Sequence, residues 1–385
     1  MGYAGQFGWK YGIAATWAGI GNALLGSLLA WAVLGRRTRI MSQHLDSATM
    51  PEFFGKRFQS KGLRIASAAI IFVFLIPYTA SVYNGLSRLF GMAFGLPYGV
   101  CVIGMAVITC LYVVLGGYMA TVMNDFLQGI VMLFGIIAVI AAVILNNGGF
   151  SEAITTLSQI PAEGSQMAGP FVSMFGPDLF NLLGVVVLTS LGTWGLPQMV
   201  QKFYAIKSGP AVKQGAIIST LFAFVVAGGS YFLGGFGRLY ADKIEIGPTG
   251  IPVYDSIIPT MLSTLPDILI GIVIVLVLSA SMSTLSSLVL TSSSTLTLDL
   301  LQGNVVKKMS EQSKLGWMRV LIVVFIIVSA ALALIQYNSS ITFIAQLMGI
   351  SWGSLAGAFL GPFLWGLYSG RISKAAVWCS FIVGV

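Results

Sequence analysis

The sequence contains few charged residues: Asp, Glu, Lys and Arg make up only 8% of its 385 residues. A soluble domain of this length carries roughly 25% charged residues. Hydrophobic residues reach 57%, and the mean hydropathy is +0.91. This composition excludes an ordinary soluble globule and indicates a protein embedded in a lipid bilayer.

The residues of common catalytic and metal sites are also scarce. His44 is the only histidine, and the three cysteines, Cys101, Cys110 and Cys379, lie in apolar stretches without C-x-x-C spacing. No H-E-x-x-H motif occurs. A zinc site, a disulfide framework and an intramembrane metalloenzyme are therefore not supported. We expect no enzymatic activity and no cofactor.

What the sequence does contain is a series of apolar runs, each long enough to cross a hydrocarbon core of about 30 Å. In lipid the backbone must bond to itself, so these runs predict helices. They predict an all-α membrane protein, with one polytopic domain over residues 1–385 and about ten helical segments. Their expected limits are 11–35, 63–90, 96–117, 124–146, 179–205, 213–239, 265–298, 317–336, 342–368, and a stub from 375 onward.

Basic residues are distributed unevenly between the two sides that these spans define. Sixteen of the 20 Lys and Arg residues fall on one side, all except Lys10, Arg88, Arg238 and Lys243. The positive-inside rule places the basic loops in the cytoplasm. Because the net charge of +8 resides in short loops, we expect no nucleic-acid partner. The basic loop 51–58 (PEFFGKRF) is expected at the interface, with its aromatic residues among the headgroups.

The two ends of the sequence suggest a fragment. Residues 375–385 begin an apolar run that stops about halfway across a bilayer. Residues 1–10 open on the outer side without a preceding helix. We expect at least one further helix at each end.

The seventh span is rich in hydroxyl groups. Ala280, Ser283, Thr284 and Ser287 share one helical face, where carbonyl and hydroxyl oxygens could replace the hydration shell of a small hard cation. Alternatively, these hydroxyls bond back to the carbonyl four residues earlier, or permit close helix packing.

Two further places within the spans are irregular. Gly192, Gly195 and Pro197 interrupt the fifth span, which predicts either a broken helix facing a substrate or a simple proline kink. The segment joining the third and fourth spans carries one acid, Asp125. It could cap the following helix or serve an ion pathway.

Four segments in register resemble the sodium:solute symporter family: TMPEFFGKRF (49–58), LYVVLGGYMATVMNDFLQ (111–128), LGTWGLPQMVQKFYA (191–205) and LSASMSTLSSLVLTSSSTLTLDL (278–300). The resemblance implies inverted five-helix repeats of the leucine-transporter type, incomplete here. The first span resembles the third helix of the family, so most of the first core helix, which contributes to the sodium site, is expected to be missing.

The resemblance also implies site residues. The family's sodium ligands correspond to the Ala280 carbonyl and to the side chains of Ser283 and Thr284, and Asp125 matches an acid linked to a second cation position. Candidate substrate residues are Tyr112, Thr189, Thr193, Trp194 and Pro197. Thr189 and Thr193 stand where proline carriers have aromatic residues, which implies a smaller, more polar cavity wall and argues against proline.

The function implied is sodium-driven symport of a small organic solute, an amino acid, carboxylate, vitamin or sugar, across the cytoplasmic membrane. The expected partners are sodium, that solute and the lipid bilayer. The alternative is a sensor domain of the same fold that binds a solute without transporting it.

Overall fold

The computed structural model describes residues 2–162, 167–206, 208–247, 250, 252–302, 306, 309–338 and 344–385, without the side chains of residues 118, 119, 338, 344 and 345. Within these ranges the chain is helical, and the only strand-like pairings are the isolated bridges Ile246 to Pro252 and Gln302 to Val306. Among the described helices, eight are long and apolar enough to cross a membrane. A bent pair adds a ninth span, which confirms the prediction of an all-α membrane protein.

The helices follow the chain in this order: α1 (Tyr3–Leu45), α2 (Met50–Arg57), α3 (Lys61–Phe94), α4 (Tyr98–Gly117), α5 (Ala120–Asn146), α6 (Phe150–Ser158), α7a (Leu179–Leu191), α7b (Pro197–Tyr204), α8 (Gly209–Gly234), α9 (Ile257–Ser263), α10 (Asp267–Leu301), α11 (Glu311–Asn338), α12 (Ile344–Tyr368) and α13 (Lys374–Gly384). The first span starts earlier than the predicted residue 11, because Gly2–Tyr11 is helical and packs on α8.

These helices form two packed groups. In the first, α1 packs against α7a and α8. In the second, α10 packs against α3, α5 and α11, and α3 also contacts α11. Helix α12 bridges the groups, since it packs on α3 and on the turn Gly192–Gly195 that follows α7a. Cavities are therefore expected where the two groups face each other.

Glycines allow α1 and α8 to approach closely. A Cβ on Gly8 would collide with the backbone carbonyl of Gly234, and one on Gly19 would collide with the backbone of Gly228. Small residues at such positions let helix backbones pack without intervening side chains, as is common in membrane bundles. The two helices therefore share one continuous backbone-to-backbone contact.

Both α1 and α8 also contain π-helical turns. These turns span Asn22–Leu29 and Trp31–Gly35 in α1, and Phe224–Gly228 in α8. The turns Asn22–Leu29 and Phe224–Gly228 contact each other. Such π-turns loosen the regular hydrogen-bond ladder and occur often at functional sites.

The fifth predicted span is broken rather than merely kinked. Helix α7a ends in a 3-10 turn, Gly192–Gly195, and Leu196 is extended with φ −79° and ψ 122°. Pro197 then starts α7b, whose axis is bent by 50° from that of the preceding segment. Proline suits the first position of a helix because its missing N–H would lack an intrahelical partner there.

One expectation about the loop 51–58 was wrong. Phe53 and Phe54 are completely buried, and their rings lie 5.0 Å from Phe363 and 5.6 Å from Phe359, respectively. The periodicity of a short helix, α2, turns both rings toward α12 rather than toward headgroups. Lys56, on the other face, pairs with Glu52 at 3.0 Å.

A buried polar network fixes α2, α3 and α10 to one another at the basic end of the molecule. Asp299 is fully buried and accepts from Arg64 Nε at 2.7 Å and from Thr49 Oγ1 at 2.6 Å. Arg64 also donates to the carbonyl of Leu298 at 3.1 Å. Nearby, Arg57 donates to the carbonyls of Gly366 and Ser369, both at 2.8 Å. The buried negative charge of Asp299 is thus compensated by the positive charge of Arg64.

The glycine contact between α1 and α8 yields a stability prediction. We expect Gly8→Ala to destabilise the protein by about 1–3 kcal/mol, because the added methyl must separate two backbones. The matched control is Gly104→Ala in α4, where nothing lies within 4 Å of an added Cβ and alanine is the better helix former. Thermal unfolding in detergent measures both; an unchanged midpoint for Gly8→Ala would contradict the contact.

Candidate functional site

A cavity of about 450 Å³ lies between the two helix groups. Five aromatic residues contribute to its wall: Tyr3, Tyr78, Phe222, Tyr231 and Trp352. The Trp352 ring lies edge-on to Tyr78 at 5.7 Å and is stacked on Tyr3 at 6.2 Å. We call this space the aromatic cavity; its volume suits a small organic molecule.

A second cavity, of about 330 Å³, adjoins it and is here called the lysine cavity. Both cavities are bounded by Asn22, Phe222 and Trp352, so one set of side chains separates them. Lys202 of α7b lines the second cavity. The indole Nε1 of Trp352 is enclosed and lies beside the Tyr78 hydroxyl, without a hydrogen bond of good geometry to any residue that the structure describes. It reaches a molecule in either cavity when the Trp352 or Tyr78 side chain turns.

Helix α10 brings two oxygen atoms to the wall of the aromatic cavity. Ala280 and Thr284 both line it, and the Thr284 hydroxyl donates to the Ala280 carbonyl at 2.9 Å. This is the back-bonding arrangement that the sequence left open. It nevertheless places a carbonyl and a hydroxyl oxygen side by side at the cavity surface, and oxygen is the donor that hard cations prefer.

Ser283 lies on the same helix but is not among the residues that line the aromatic cavity. The hydroxyls of Ser283 and Ser286 lie beside the carboxylate of Asp125. The positive charge of Lys202 interacts electrostatically with the same carboxylate. Asp125 Oδ1 is buried and has no hydrogen-bond partner within the described residues. The four side chains form a polar centre adjacent to the two cavities.

Of the two roles that the sequence left open for Asp125, capping of the following helix does not fit the structure. Helix α5 starts at Ala120, so Asp125 lies in its second turn, beyond the free amides of the N-terminus. The positive φ of 61° at Gly117 ends α4 and lets α5 begin before Asp125 is reached. Asp125 therefore faces α10 and not the end of its own helix.

The candidate substrate residues around the helix break separate into two sets. Thr193 and Trp194 line the lysine cavity, and Trp194 Nε1 donates to the carbonyl of Leu25 at 3.0 Å. Thr189 and Pro197 are buried but are not among the residues that line either cavity. The hydroxyls of Thr189 and Thr193 donate to the carbonyls of Val185 and Ser190, at 2.8 and 2.7 Å. Neither threonine therefore lines the aromatic cavity, and only Thr193 lines the lysine cavity.

Tyr112 is likewise placed away from both cavities. Its hydroxyl accepts from Asn124 Nδ2 at 3.1 Å and so joins α4 to α5.

In the described chain no three His, Cys, Asp or Glu side chains cluster as transition-metal ligands would. The chemistry that the site offers is oxygen coordination, aromatic contact and hydrogen bonding.

Comparison with known proteins agrees with this architecture. The model of the sodium:solute symporter family matches residues 1–384. The sodium/proline symporter of Escherichia coli K12 is 28% identical over 387 residues, which cover 97% of this chain and 73% of that protein. The sodium/pantothenate symporter of Haemophilus influenzae is 27% identical, covering 97% of this chain and 76% of the relative.

This chain belongs to the sodium:solute symporter family. Among solved structures it resembles a Na+-coupled sialic acid symporter in a substrate-bound outward-open state, with a TM-score of 0.72 and 18% identity over 97% of this chain and 79% of that one. That likeness confirms the predicted leucine-transporter type of fold. The protein is a secondary transporter and not an enzyme, as its family is made of transporters.

Sequence reasoning did not find the aromatic residues of this symporter's central cavity. Tyr78 follows Pro77 inside α3, and Trp352 lies between two glycines of α12, at 349 and 353. A proline or glycine within an apolar run was the available signal, since such residues mark close or irregular backbone. The signal was used for Pro197 but not for Pro77.

Trp352 yields a direct test of the cavities. We expect Trp352→Phe to raise the KM for the transported solute about fivefold, because it removes one hydrogen-bond donor worth about 1 kcal/mol and keeps a ring. Trp365→Phe, on the same helix but 60% exposed, is the matched control. Equal KM values for both variants in an uptake assay would show that the Trp352 indole does not contact the solute.

Proposed function

We propose that this chain forms the ion and solute pathway of a sodium-driven symporter for a small organic solute in the plasma membrane. Sodium is bound by the carbonyl of Ala280 and the hydroxyls of Ser283 and Thr284. The observation that carries the proposal is the position of Ala280 and Thr284, whose oxygens lie 2.9 Å apart on the wall of the aromatic cavity.

The chemistry of these oxygens suits sodium. A hydroxyl that donates its proton keeps two lone pairs, so the Thr284 hydroxyl can still coordinate a cation. The Ala280 carbonyl already accepts from the Thr284 amide within the helix and from the Thr284 hydroxyl, so it coordinates a cation when the hydroxyl turns its proton away. Charged and polar groups within a membrane span need partners there, so a row of hydroxyls next to a cavity favours an ion pathway over plain packing. A sodium ion at this wall would need further ligands from the facing helix group.

Asp125 is proposed as a second cation ligand. Its carboxylate lies beside the Ser283 and Ser286 hydroxyls and has one oxygen without a hydrogen-bond partner among the described residues. Lys202 acts on the same carboxylate from the lysine cavity. A cation at Asp125 therefore experiences the positive charge of Lys202, and its occupancy depends on where that side chain lies.

Coupling follows from the position of both sites between the helix groups. The aromatic cavity is lined by α1 and α8 of one group and by α3, α5 and α10 of the other. Sodium and solute that bind better when the groups close shift the equilibrium between open and closed forms. The membrane potential adds about 2.3 kcal/mol per charge for each 100 mV, so one sodium ion supports appreciable accumulation.

The charge of Lys202 narrows the class of solute further than the volumes of the two cavities do. Cavities of about 330 and 450 Å³ admit an amino acid, a vitamin or a monosaccharide. Lys202 supplies a cation to the lysine cavity and favours a solute with a carboxylate. Relatives named as proline and pantothenate symporters carry such solutes.

The intact protein in proteoliposomes tests the proposal. With a panel of labelled amino acids, carboxylates, vitamins and sugars, we expect one solute to accumulate only with an inward sodium gradient. Ser283→Ala or Thr284→Ala is expected to raise the sodium concentration for half-maximal uptake about tenfold, because each removes one oxygen ligand of the ion. Asp125→Asn tests the second position in the same assay.

Ser293→Ala is the matched control, since its hydroxyl donates within α10 to Val289 at 2.7 Å. Sodium-independent uptake would discard the ion site at Ala280, Ser283 and Thr284. Saturable binding of a solute without uptake would favour the sensor interpretation instead.

Orientation is a further part of the proposal: the end that carries Arg57 and Arg64 faces the cytoplasm. In intact cells we expect an impermeant maleimide to label Asp242→Cys and to leave Glu311→Cys unlabelled until the membrane is permeabilised. Both residues are exposed. The parent protein, with its native cysteines, gives the background, and the reverse labelling pattern would invert the topology.

A further inference from the structure

A third cavity, of about 310 Å³, lies at the end of α3 opposite the basic end. Arg88 and Ser87 of α3, Tyr98 of α4, Tyr337 of α11 and Glu245 all line it. Glu245 belongs to the connection between α8 and α9. We call this space the arginine cavity. None of the sodium or solute residues discussed above lines it.

The arginine cavity is aligned with the aromatic cavity along one face of α3. Ser81 and Gly85 line the aromatic cavity, whereas Arg88 and Met92 line the arginine cavity. Spacings of four, three and four residues place these positions on the same side of a helix. A solute that moves along this face passes Arg88 one turn before it reaches Gly85.

Arg88 is held in place but its charge is not neutralised. Its Nε donates to Asn84 Oδ1 at 3.1 Å, and its guanidinium carbon lies 5.6 Å from the centre of the Tyr337 ring. Tyr337 is itself stacked on Tyr98 at 3.9 Å. In the described part of the chain no carboxylate lies within 4 Å of Arg88. The terminal N–H groups of the guanidinium remain available to bind a ligand.

Ser87 supplies a second unsatisfied group. It is completely buried, and its hydroxyl has no hydrogen-bond partner among the described residues. A buried polar group without a partner is costly, and its presence in a native structure usually indicates a missing ligand or water. Ser87 borders the cavity, but its hydroxyl is enclosed, so a ligand reaches it only after the side chain turns.

Glu245 places the opposite charge in the same cavity. Its side chain is exposed and, among the described residues, pairs with no cation within 4 Å. A sphere of 310 Å³ is about 8 Å across, which accommodates a small solute with a charge-assisted hydrogen bond of about 2.8 Å at each end. Two separated, unpaired charges of opposite sign fit a ligand that carries both signs.

We propose that the arginine cavity binds an α-amino acid as its zwitterion, with the carboxylate on Arg88 and the ammonium group on Glu245. This inference rests on the proposed function, because it makes the cavity an entry site for the solute of the symporter. An uncharged sugar leaves both charges unpaired, and a simple carboxylate is repelled by Glu245. Because Glu245 is on a loop, a bound zwitterion also ties that loop to α3.

A cysteine placed in the cavity reports its occupancy. Ser263 lines the cavity and is exposed, so Ser263→Cys can be modified by a small methanethiosulfonate reagent in the intact protein. The protein without this substitution serves as the blank. We expect L-proline and L-alanine, used as probes at saturation, to slow modification several-fold, and L-prolinamide, which lacks the carboxylate, to have no effect.

Charge variants identify the contacts. In the Ser263→Cys background, Arg88→Gln and Glu245→Gln are each expected to raise the half-protecting amino-acid concentration about tenfold, the loss typical of one charge-assisted hydrogen bond. Lys243→Gln, an exposed charge on the same connection, is the control and should leave it unchanged. Protection by pantothenate that is insensitive to Glu245→Gln would overturn the zwitterion proposal, as would protection by L-prolinamide.

The same assay separates this site from the sodium-coupled pathway. Protection that persists in Thr284→Ala, without sodium, supports an independent outer site even if uptake fails. Protection that requires sodium and is lost in Thr284→Ala would show that the amino acid acts from the aromatic cavity, and the proposed site would be rejected while the symport function stands.

Discussion

The structure depends on one constraint: in hydrocarbon, every backbone N–H and C=O must be bonded within the protein. Most spans meet it as regular helices. The exceptions include the extended residue Leu196, the π-helical turns of α1, α8 and α10, the 3-10 turn Gly12–Ala15, and Gly117 with its positive φ. Residues of the π-turns in α1 and α8 line the cavities, the π-turn Leu296–Leu301 carries the buried Asp299, and Gly117 precedes the helix that bears Asp125. Several of these irregular segments therefore line a cavity or hold a buried polar side chain.

The same constraint explains how the second helix group, α3, α5, α10 and α11, here called the scaffold group, stays together. Asp299 would be a costly buried charge, but Arg64 and Thr49 satisfy it from two other elements. Because the network joins α2, α3 and α10 at one end, α10 has a fixed register relative to α3. That register determines that Ala280 and Thr284 reach the cavity while Ser283 faces Asp125. A polar contact near the membrane surface thus sets the ligand geometry deeper in the bundle.

Much of the fold could be predicted from the sequence, because apolar length and polar interruptions follow directly from bilayer physics. The spans were predicted in this way, and an irregularity was predicted around Pro197, although the sequence left open whether it was a broken helix or a simple kink. The environment of Phe53 and Phe54 was predicted wrongly. An aromatic residue next to basic residues gives the same sequence pattern whether its ring lies among lipid headgroups or packs against another helix. Tyr112 and Tyr78 illustrate a similar limit: both are tyrosines in apolar runs, and only packing between α3 and α12 shows that Tyr78 lines the cavity.

In the proposed function, ion and solute share one wall of the aromatic cavity. Ala280 and Thr284 lie on the scaffold group, whereas Tyr231 and Asn22, across the same cavity, lie on α8 and α1. The glycine contacts pack α1 and α8 backbone to backbone, so a displacement of one helix is passed to the other with little absorbed by side chains between them. A ligand that draws the two walls together therefore moves helices as units. Coupling between ion and solute needs no direct contact between them, since each biases the same closure.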